Sequence, residues 1–130
     1  MRTCLIIKPD GFARRVVGRV IDRFENEGFR LLALKLIPPD RKLIETLYQE
    51  HRGKPFYPPL IKFMLSGPIV AMVWEGSQVV ARVRNIIGKT DSKQAAPGTL
   101  RWLWGTNTRR NVVHASDSPS SARREAGLLF

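Results

Sequence analysis

Cysteine and histidine are scarce in this chain of 130 residues, which has one cysteine and two histidines. A single cysteine cannot form a disulfide within the chain, and Cys4 lies in an apolar run typical of a buried strand. The sequence contains no Cys/His cluster that would indicate a zinc site. These absences argue against a disulfide scaffold and a zinc domain. The 43% hydrophobic content instead predicts one domain, residues 1–130, with a core of its own.

Long hydrophobic runs are also absent. No apolar run approaches the roughly 20 residues that a membrane helix requires. The sequence shows no charged and then apolar leader with a small-residue cleavage site. We therefore expect a cytoplasmic protein with no membrane partner.

Acidic residues are few, with 11 Asp and Glu against 22 Lys and Arg, so the formal net charge is +11. A charge of this sign attracts polyanions such as nucleotides, nucleic acid or an anionic membrane surface. The basic residues occur as scattered pairs and form no basic tail. The net charge therefore indicates that a partner is negatively charged, and it leaves the identity of that partner open.

The glycine-rich loop of P-loop kinases is missing as well. Gly53-Lys54 lacks both the earlier glycine and the following hydroxyl residue of that motif. A P-loop kinase is therefore disfavoured.

Hydrophobic periodicity predicts an alternation of strands and helices. The predicted strands are Thr3–Ile7, Phe29–Ile37, Ile69–Trp74 and Val112–Val113. The predicted helices are Arg14–Glu27, Asp40–Glu50, Leu60–Leu65, Ser77–Ile87 and Ser118–Phe130. This order predicts an α+β fold of the ferredoxin-like (split β-α-β) type. Helices would pack on its antiparallel four-stranded sheet, and a helical hairpin would be inserted. The stretch Gly88–Arg110 lacks periodicity, and a connection longer than about 15 residues indicates a functional loop.

One histidine lies where chemistry is expected. His114 follows the apolar pair Val112-Val113 and precedes a polar turn. An imidazole with one free nitrogen and one oriented nitrogen can act as a nucleophile or base near neutral pH. The residues around His114 alone do not decide this, because His114 could also be a structural histidine at the end of a strand, hydrogen-bonded to Ser116 or to the backbone.

Five stretches carry a family resemblance: Ile7–Gly11, Lys54–Phe56, Phe63–Pro68, Ala96–Arg101 and Asn111–Asp117. In order and spacing they resemble the nucleoside diphosphate kinase family, and the similarity runs from about Arg2 to Phe130. The resemblance implies the same ferredoxin-like fold. It also implies ping-pong transfer of the terminal phosphate from a nucleoside triphosphate to a nucleoside diphosphate.

The resemblance further implies a catalytic set. His114 would take the phosphoryl group on a ring nitrogen, while Glu125 would hold the proton of the other nitrogen. Lys8 would neutralise charge on the transferring group, with the hydroxyls of Tyr48 and Ser116 close by. A salt bridge to a neighbouring arginine is the alternative for Glu125.

The resemblance implies a nucleotide site for ATP and other nucleoside tri- and diphosphates. Phe56 would stack on the base, with Leu60 on the same apolar clamp, although a core phenylalanine is the alternative. Charged and polar side chains would hold the phosphates and the ribose: Lys8, Arg84, Thr90, Arg101 and Asn111. Mg²⁺ would bridge the phosphates, and because it prefers water and phosphate oxygen we assign it no protein ligand.

The chain departs from the family pattern after Arg101. The family usually has Gly-Asp-Phe there, and this chain has Trp102-Leu103-Trp104. Exposed indoles are unfavourable, so we expect a subunit contact or a rearranged loop. Ala115 replaces a more common glycine, which matters only if that position needs a positive φ. The resemblance implies a homo-oligomer, a hexamer before a tetramer.

Two other functions stay open at this point. One is a basic nucleic-acid-binding module on the same fold, which the net charge favours but which lacks the aromatic RNP1 pattern. The other is a family member that has lost activity through its altered loop and serves as an interaction protein.

Overall fold

The sheet has four strands and every neighbouring pair is antiparallel. The computed structural model describes residues 1–130. The strands are β1 (Arg2–Ile7), β2 (Arg30–Ile37), β3 (Ile69–Glu75) and β4 (Val113–Ala115). Their order across the sheet is β2-β3-β1-β4, which is the predicted ferredoxin-like α+β arrangement. The fold prediction is confirmed.

Seven α-helices surround the sheet: α1 (Pro9–Ala13), α2 (Val17–Asn26), α3 (Arg41–Leu47), α4 (Tyr57–Met64), α5 (Val79–Ile87), α6 (Leu100–Trp104) and α7 (Pro119–Leu129). Short 3₁₀ turns cover Gln49–His51 and Ser92–Gln94. The side chains of Asp40 and Ser118 cap α3 and α7 by accepting backbone N–H groups. None of these helices combines the length and apolar character needed to cross a bilayer.

The sheet separates two apolar cores, because successive side chains of a strand point to opposite faces. In β1, Leu5 and Ile7 join the core formed with α2 and α5. Cys4 and Ile6 join the core formed with α3, α4 and the end of α7. Both faces of β1 are therefore buried, which explains its continuous apolar run.

This alternation also fixes the direction of His114. Strand β4 pairs with β1, and His114 lies opposite Ile6. Val113 and Ala115 pack in the first core, so the intervening His114 projects to the other face, towards α3 and α7.

Strand β2 is an edge strand and presents leucines to solvent. Leu34 and Leu36 share one face and are each more than half exposed, whereas a register shift between Leu31 and Ala33 interrupts the alternation at Leu32. An exposed apolar edge of this kind is a ready surface for another chain.

The predicted boundaries near the N-terminus were wrong. No helix was predicted between Ile7 and Arg14, but Pro9 begins the short helix α1, where a proline is well suited to the first position. Arg15 has a positive φ of 59°, which ends that helical segment. The helix predicted from Arg14 therefore begins at Val17.

Boundaries elsewhere were also displaced. The helix predicted from Leu60 begins at Tyr57, with prolines in its first turn, and the helix predicted from Ser77 begins at Val79. The aperiodic stretch Gly88–Arg110 contains α6, whose N-cap Thr99 accepts the N–H of Trp102. Arg101, predicted to lie in a loop, is therefore on a helix.

Candidate active site

A cavity of about 650 Å³ contains most of the predicted site residues. Ten of the eleven line it: Lys8, Tyr48, Phe56, Leu60, Arg84, Thr90, Arg101, Asn111, His114 and Glu125. Ser116 is the exception, because its side chain is fully buried behind this lining. The fold thus brings together residues that lie more than 100 positions apart in the sequence.

His114 has one ring nitrogen held by a carboxylate. Its Nε2 lies 3.0 Å from Oε1 of Glu125, a residue of α7. The Ser116 hydroxyl donates to the same oxygen at 2.8 Å. Burial would raise the pKa of Glu125, but the hydrogen bonds from His114 and Ser116 hold it below its ordinary value. An ionised carboxylate here favours the tautomer with the proton on Nε2, which leaves the lone pair on Nδ1.

Tyr48 packs against the same imidazole. The two rings meet edge to face, with their centroids 5.8 Å apart. The Tyr48 hydroxyl is buried and has no hydrogen-bond partner in the protein. Burial raises the pKa of Tyr48, so the phenol keeps its proton and can donate to a bound group.

Lys8 follows directly after β1 and is held by the loop on the other side of the cavity. Its Nζ donates to Oδ1 of Asn111 at 2.7 Å. The Asn111 amide nitrogen in turn donates to the carbonyls of Thr90 and Thr108, each at 2.9 Å. Burial, together with the nearby Arg101, lowers the pKa of Lys8 to about 7. A bound polyanion would favour the protonated lysine.

Two arginines hold the strand that carries His114. Arg101 donates from Nη2 to the carbonyl of Val113 at 2.8 Å, and Arg84 donates from Nη1 to the carbonyl of Ala115 at 3.2 Å. Burial, aided by Arg84, lowers the pKa of Arg101 to about 10, so this guanidinium is charged at neutral pH. These cations flank His114 and face the cavity that it lines.

Phe56 is on the rim of the cavity and is not a core residue. Its side chain is 46% exposed, which excludes the core alternative. The Lys54 ammonium lies 5.7 Å from the ring centroid, and the ring of His51 lies 5.2 Å away. Leu60, one helical turn along in α4, lines the same side. An exposed aromatic above an apolar neighbour can accept a planar base.

Residues 1–130 match the family model described as nucleoside diphosphate kinase. A nucleoside diphosphate kinase of Carboxydothermus hydrogenoformans is 52% identical over 129 residues, which are 99% of this chain and 87% of that protein. One of Sulfolobus acidocaldarius is 50% identical over 129 residues, 99% of this chain and 89% of that protein. The chain belongs to the nucleoside diphosphate kinase family.

Solved structures of the family agree with this assignment. The Aquifex aeolicus enzyme superposes with a TM-score of 0.96 at 44% identity, covering 99% of this chain and 94% of that chain. The Halobacterium salinarum enzyme, solved in complex with CDP, gives a TM-score of 0.97 at 39% identity, covering 100% of this chain and 87% of that chain.

Membership of the family gives the reaction. A nucleoside diphosphate kinase binds nucleotides and moves the terminal phosphate of a nucleoside triphosphate to a nucleoside diphosphate, and it needs a divalent cation. The match supports neither alternative from the sequence, the nucleic-acid-binding module or the inactive interaction protein.

Seven residues that the sequence did not indicate as site residues also line the cavity: Glu50, His51, Asn107, Thr108, Arg109, Ala115 and Asp117. His51 lies between Tyr48 and Phe56, with ring centroids 6.3 and 5.2 Å away. Its spacing of three from Tyr48 was a usable signal, since residues three apart share a side of a helical turn. Arg109 gave no such signal, because its position depends on the fold of an irregular loop.

The segment Trp102–Trp104 follows Arg101 on helix α6. Trp104 packs against the first core, whereas Trp102 and Leu103 are 50% and 43% exposed. Ala115 has no positive φ, so the alanine there is tolerated.

Proposed function

We propose that His114 is the phosphoryl carrier of a two-step exchange. The Nδ1 lone pair attacks the terminal phosphorus of a nucleoside triphosphate. The bond from that phosphorus to the bridging oxygen breaks, and the nucleoside diphosphate leaves with the oxygen. A second diphosphate then attacks the phosphorus through its terminal oxygen, the P–N bond breaks, and His114 returns to its neutral form.

One observation carries this proposal. The Nδ1 atom of His114 has no hydrogen-bond partner in the protein, while Nε2 is 3.0 Å from the buried Glu125 carboxylate. A nucleophile needs one free and one oriented nitrogen. Glu125 would also stabilise the positive charge that the ring acquires when Nδ1 is phosphorylated.

The cations would act on the phosphates. Lys8, with its Nζ between Asn111 and the cavity, is placed to contact the transferring group, and Arg84 and Arg101 are placed to hold the distal phosphates. Transfer disperses negative charge over the phosphoryl oxygens, so positioned cations lower its barrier. The unpartnered Tyr48 hydroxyl would donate to the same group.

Ser116 would act through Glu125. Its hydroxyl is committed to the Glu125 carboxylate and to the backbone of Cys4, so a direct contact with substrate is not proposed. Its hydrogen bond orients the carboxylate that in turn orients His114.

The nucleoside would lie between Phe56 and the polar loop. Phe56 and Leu60 would clamp the base, and the exposed Thr90 would contact a phosphate. Asn111 uses both of its amide protons and one lone pair within the protein. Its second lone pair could accept the ribose hydroxyl.

We propose Mg²⁺ as the divalent cation. The structure contains no group of three His, Cys, Asp or Glu side chains that could hold a metal. The donor set therefore fits an ion bound through phosphate oxygens and water, while Lys8, Arg84 and Arg101 bind the remaining phosphate oxygens. When bound, the ion would supply charge neutralisation between the terminal phosphates.

We further propose that residues 1–130 act as one domain and assemble as a homohexamer, with a tetramer as the alternative. Two separate apolar surfaces support assembly: the leucine face of β2 and the pair Trp102-Leu103 on α6. A cytoplasmic location stays a prediction from the sequence.

The test is a trapping experiment. The purified protein is incubated with γ-labelled ATP and Mg²⁺, denatured, and examined for a phosphate that is labile in acid and stable in alkali. The chain has only two histidines, so His114→Ala and His51→Ala form a matched pair. We expect His114→Ala to abolish the label and His51→Ala to keep it, and added diphosphate should discharge it. Label that persists in His114→Ala would overturn the assignment.

A further inference from the structure

The backbone next to the active histidine is strained. Val112 has a φ of +76°, a region that L-residues avoid and that is most unfavourable for a β-branched side chain. The Val113 N–H donates across it to the Asn111 carbonyl at 2.9 Å. This i to i+2 hydrogen bond around a positive φ defines a γ-turn of the rarer, strained type. We call residues 111–113 the strained turn.

The strained turn is clamped from the opposite end of the chain. The Asp10 carboxylate accepts the Val112 N–H at 3.0 Å, and the Lys8 N–H donates to the Val112 carbonyl at 2.7 Å. Gly11 approaches so closely that a Cβ there would lie 2.9 Å from the Val112 carbonyl oxygen. The stretch from Lys8 to Gly11 therefore hydrogen-bonds both the backbone N–H and the carbonyl of the buried Val112.

Four site residues depend on this turn: Lys8, Arg101, Asn111 and His114. Asn111, on one side, holds the Lys8 ammonium. Val113, on the other side, offers its carbonyl to Arg101 and precedes His114. A change of φ at Val112 would therefore displace His114 and its cations relative to one another.

We propose that Asp10 is a positioning residue for phosphoryl transfer and acts by holding Val112 in its strained conformation. The proposal rests on the proposed role of His114. Asp10 does not line the cavity, so it acts through the backbone and not on the substrate. Strain of this kind persists only where the surroundings over-determine it, and here the Asp10 carboxylate supplies one of the two polar restraints.

Asp10 also affects the charge of Lys8, and the test must separate this effect from the hydrogen bond to Val112. Its negative charge opposes the lowering of the Lys8 pKa by burial. Asp10→Asn removes this charge but keeps an oxygen that can accept the Val112 N–H, whereas Asp10→Ala removes both. If the hydrogen bond is what matters, Asn should rescue most of the activity that Ala loses.

A double-mutant cycle with Val112→Gly tests the mechanism directly. Glycine adopts positive φ without strain, so it should need no restraint from Asp10. In single-turnover phosphorylation by ATP, we expect Asp10→Ala to slow the step roughly tenfold to a hundredfold, as a small misplacement of reacting groups does. In the Val112→Gly background the same change should slow it by less than about threefold. ADP affinity should fall by much less than the phosphorylation rate in either background.

Each result supports or overturns the positioning role of Asp10. An equal loss in both backgrounds, or no loss on Asp10→Ala, would overturn the proposal. A fall in ADP affinity equal to the fall in rate would also overturn it, since that marks general damage to the site. If Asp10→Ala does not fold, Asp10→Ser takes its place, because its oxygen is one bond shorter and cannot reach. If Val112→Gly does not fold, Val112→Ala removes the β-branch and takes its place.

A readout independent of catalysis separates this proposal from the proposed function. Hydrogen exchange of the Val112 amide should accelerate at least about tenfold in Asp10→Ala and stay slow in Asp10→Asn. Failure of the wild-type protein to phosphorylate His114 would overturn the function and leave the exchange result standing. An unchanged Val112 exchange rate would overturn the clamp and leave the function standing.

Discussion

The Nε2 atom of His114 and the Oε1 atom of Glu125 are 3.0 Å apart, although the residues belong to different elements, β4 and α7. Glu125 is 4% exposed and also accepts the Ser116 hydroxyl at 2.8 Å. A buried carboxylate that orients a histidine fixes both its tautomer and its ring position. The pair should therefore contribute to stability as well as to the proposed phosphoryl transfer, which makes it accessible to unfolding experiments.

Ser116→Ala should destabilise the protein in a pH-dependent way. The pKa of Glu125 is lowered in the folded state, so its ionised form contributes stability above its ordinary value of 4.5. This contribution is lost as the pH falls through the folded pKa. Removing the Ser116 hydrogen bond raises that pKa, so we expect a loss of about 1.5–3 kcal/mol at neutral pH that shrinks below about pH 4.

Urea unfolding at several pH values measures this effect. Ser66→Ala is the control, because Ser66 donates to a neutral backbone carbonyl, that of Phe63, at 2.6 Å. Its loss should not vary with pH. A pH-independent loss for Ser116→Ala would show that Glu125 is not its relevant partner.

Nucleotide binding should be coupled to proton uptake by Lys8. With a pKa of about 7, this lysine is mostly neutral at about pH 8 in the free protein. A polyphosphate beside it raises the pKa, so binding should take up between about half and one proton. Calorimetric titration with ADP in two buffers of different ionisation enthalpy measures the uptake. Lys8→Arg keeps the charge but does not titrate in this range, so uptake that survives it would come from another group.

The features that could be predicted from the sequence are those that depend on hydrophobic periodicity or on a short motif. The continuous apolar runs of β1 and β3 indicated buried strands, and the order of elements indicated the split sheet. The residues with characteristic neighbours, such as Lys8, Phe56 and His114, all line one cavity in the structure.

What sequence reasoning did not predict depends on contacts between distant segments. Val112 looks like a strand residue, and its positive φ follows only from the grip of Asp10 and Lys8. Ser116 looks like a substrate donor until burial places it behind Glu125. Helix α6 was missed because its five residues are too short to show a helical period.

Phe56→Ala should weaken the binding of all nucleotides by a similar factor. Stacking on an aromatic ring is worth roughly 1–3 kcal/mol per base and does not depend on which base is present. The proposed contact would be equal in the ground and transition states, so we expect KM to rise about fivefold to a hundredfold with kcat little changed. Steady-state kinetics with purine and pyrimidine diphosphates measure this, and Phe56→Tyr serves as the control. A loss confined to one base would instead indicate specific recognition.

The two exposed apolar surfaces predict how the proposed hexamer should dissociate. A closed hexamer with dihedral symmetry needs two kinds of interface, one that makes dimers and one that makes trimers. The leucine face of β2 and the Trp102-Leu103 pair are separate surfaces, so each could serve one interface. We expect Leu34→Ser with Leu36→Ser, and Trp102→Ser with Leu103→Ser, to give different smaller species, one dimeric and one trimeric.

Light scattering during size-exclusion chromatography measures these masses. Phe56→Ser removes a similarly exposed apolar side chain that lies on the rim of the active-site cavity, apart from both surfaces, and should leave the mass unchanged. Dimers from both double variants would point to a tetramer, because both interfaces of a dihedral tetramer relate pairs of subunits. Unchanged mass in both variants would mean that neither surface is buried between subunits, and the exposed indole of Trp102 would then need another explanation.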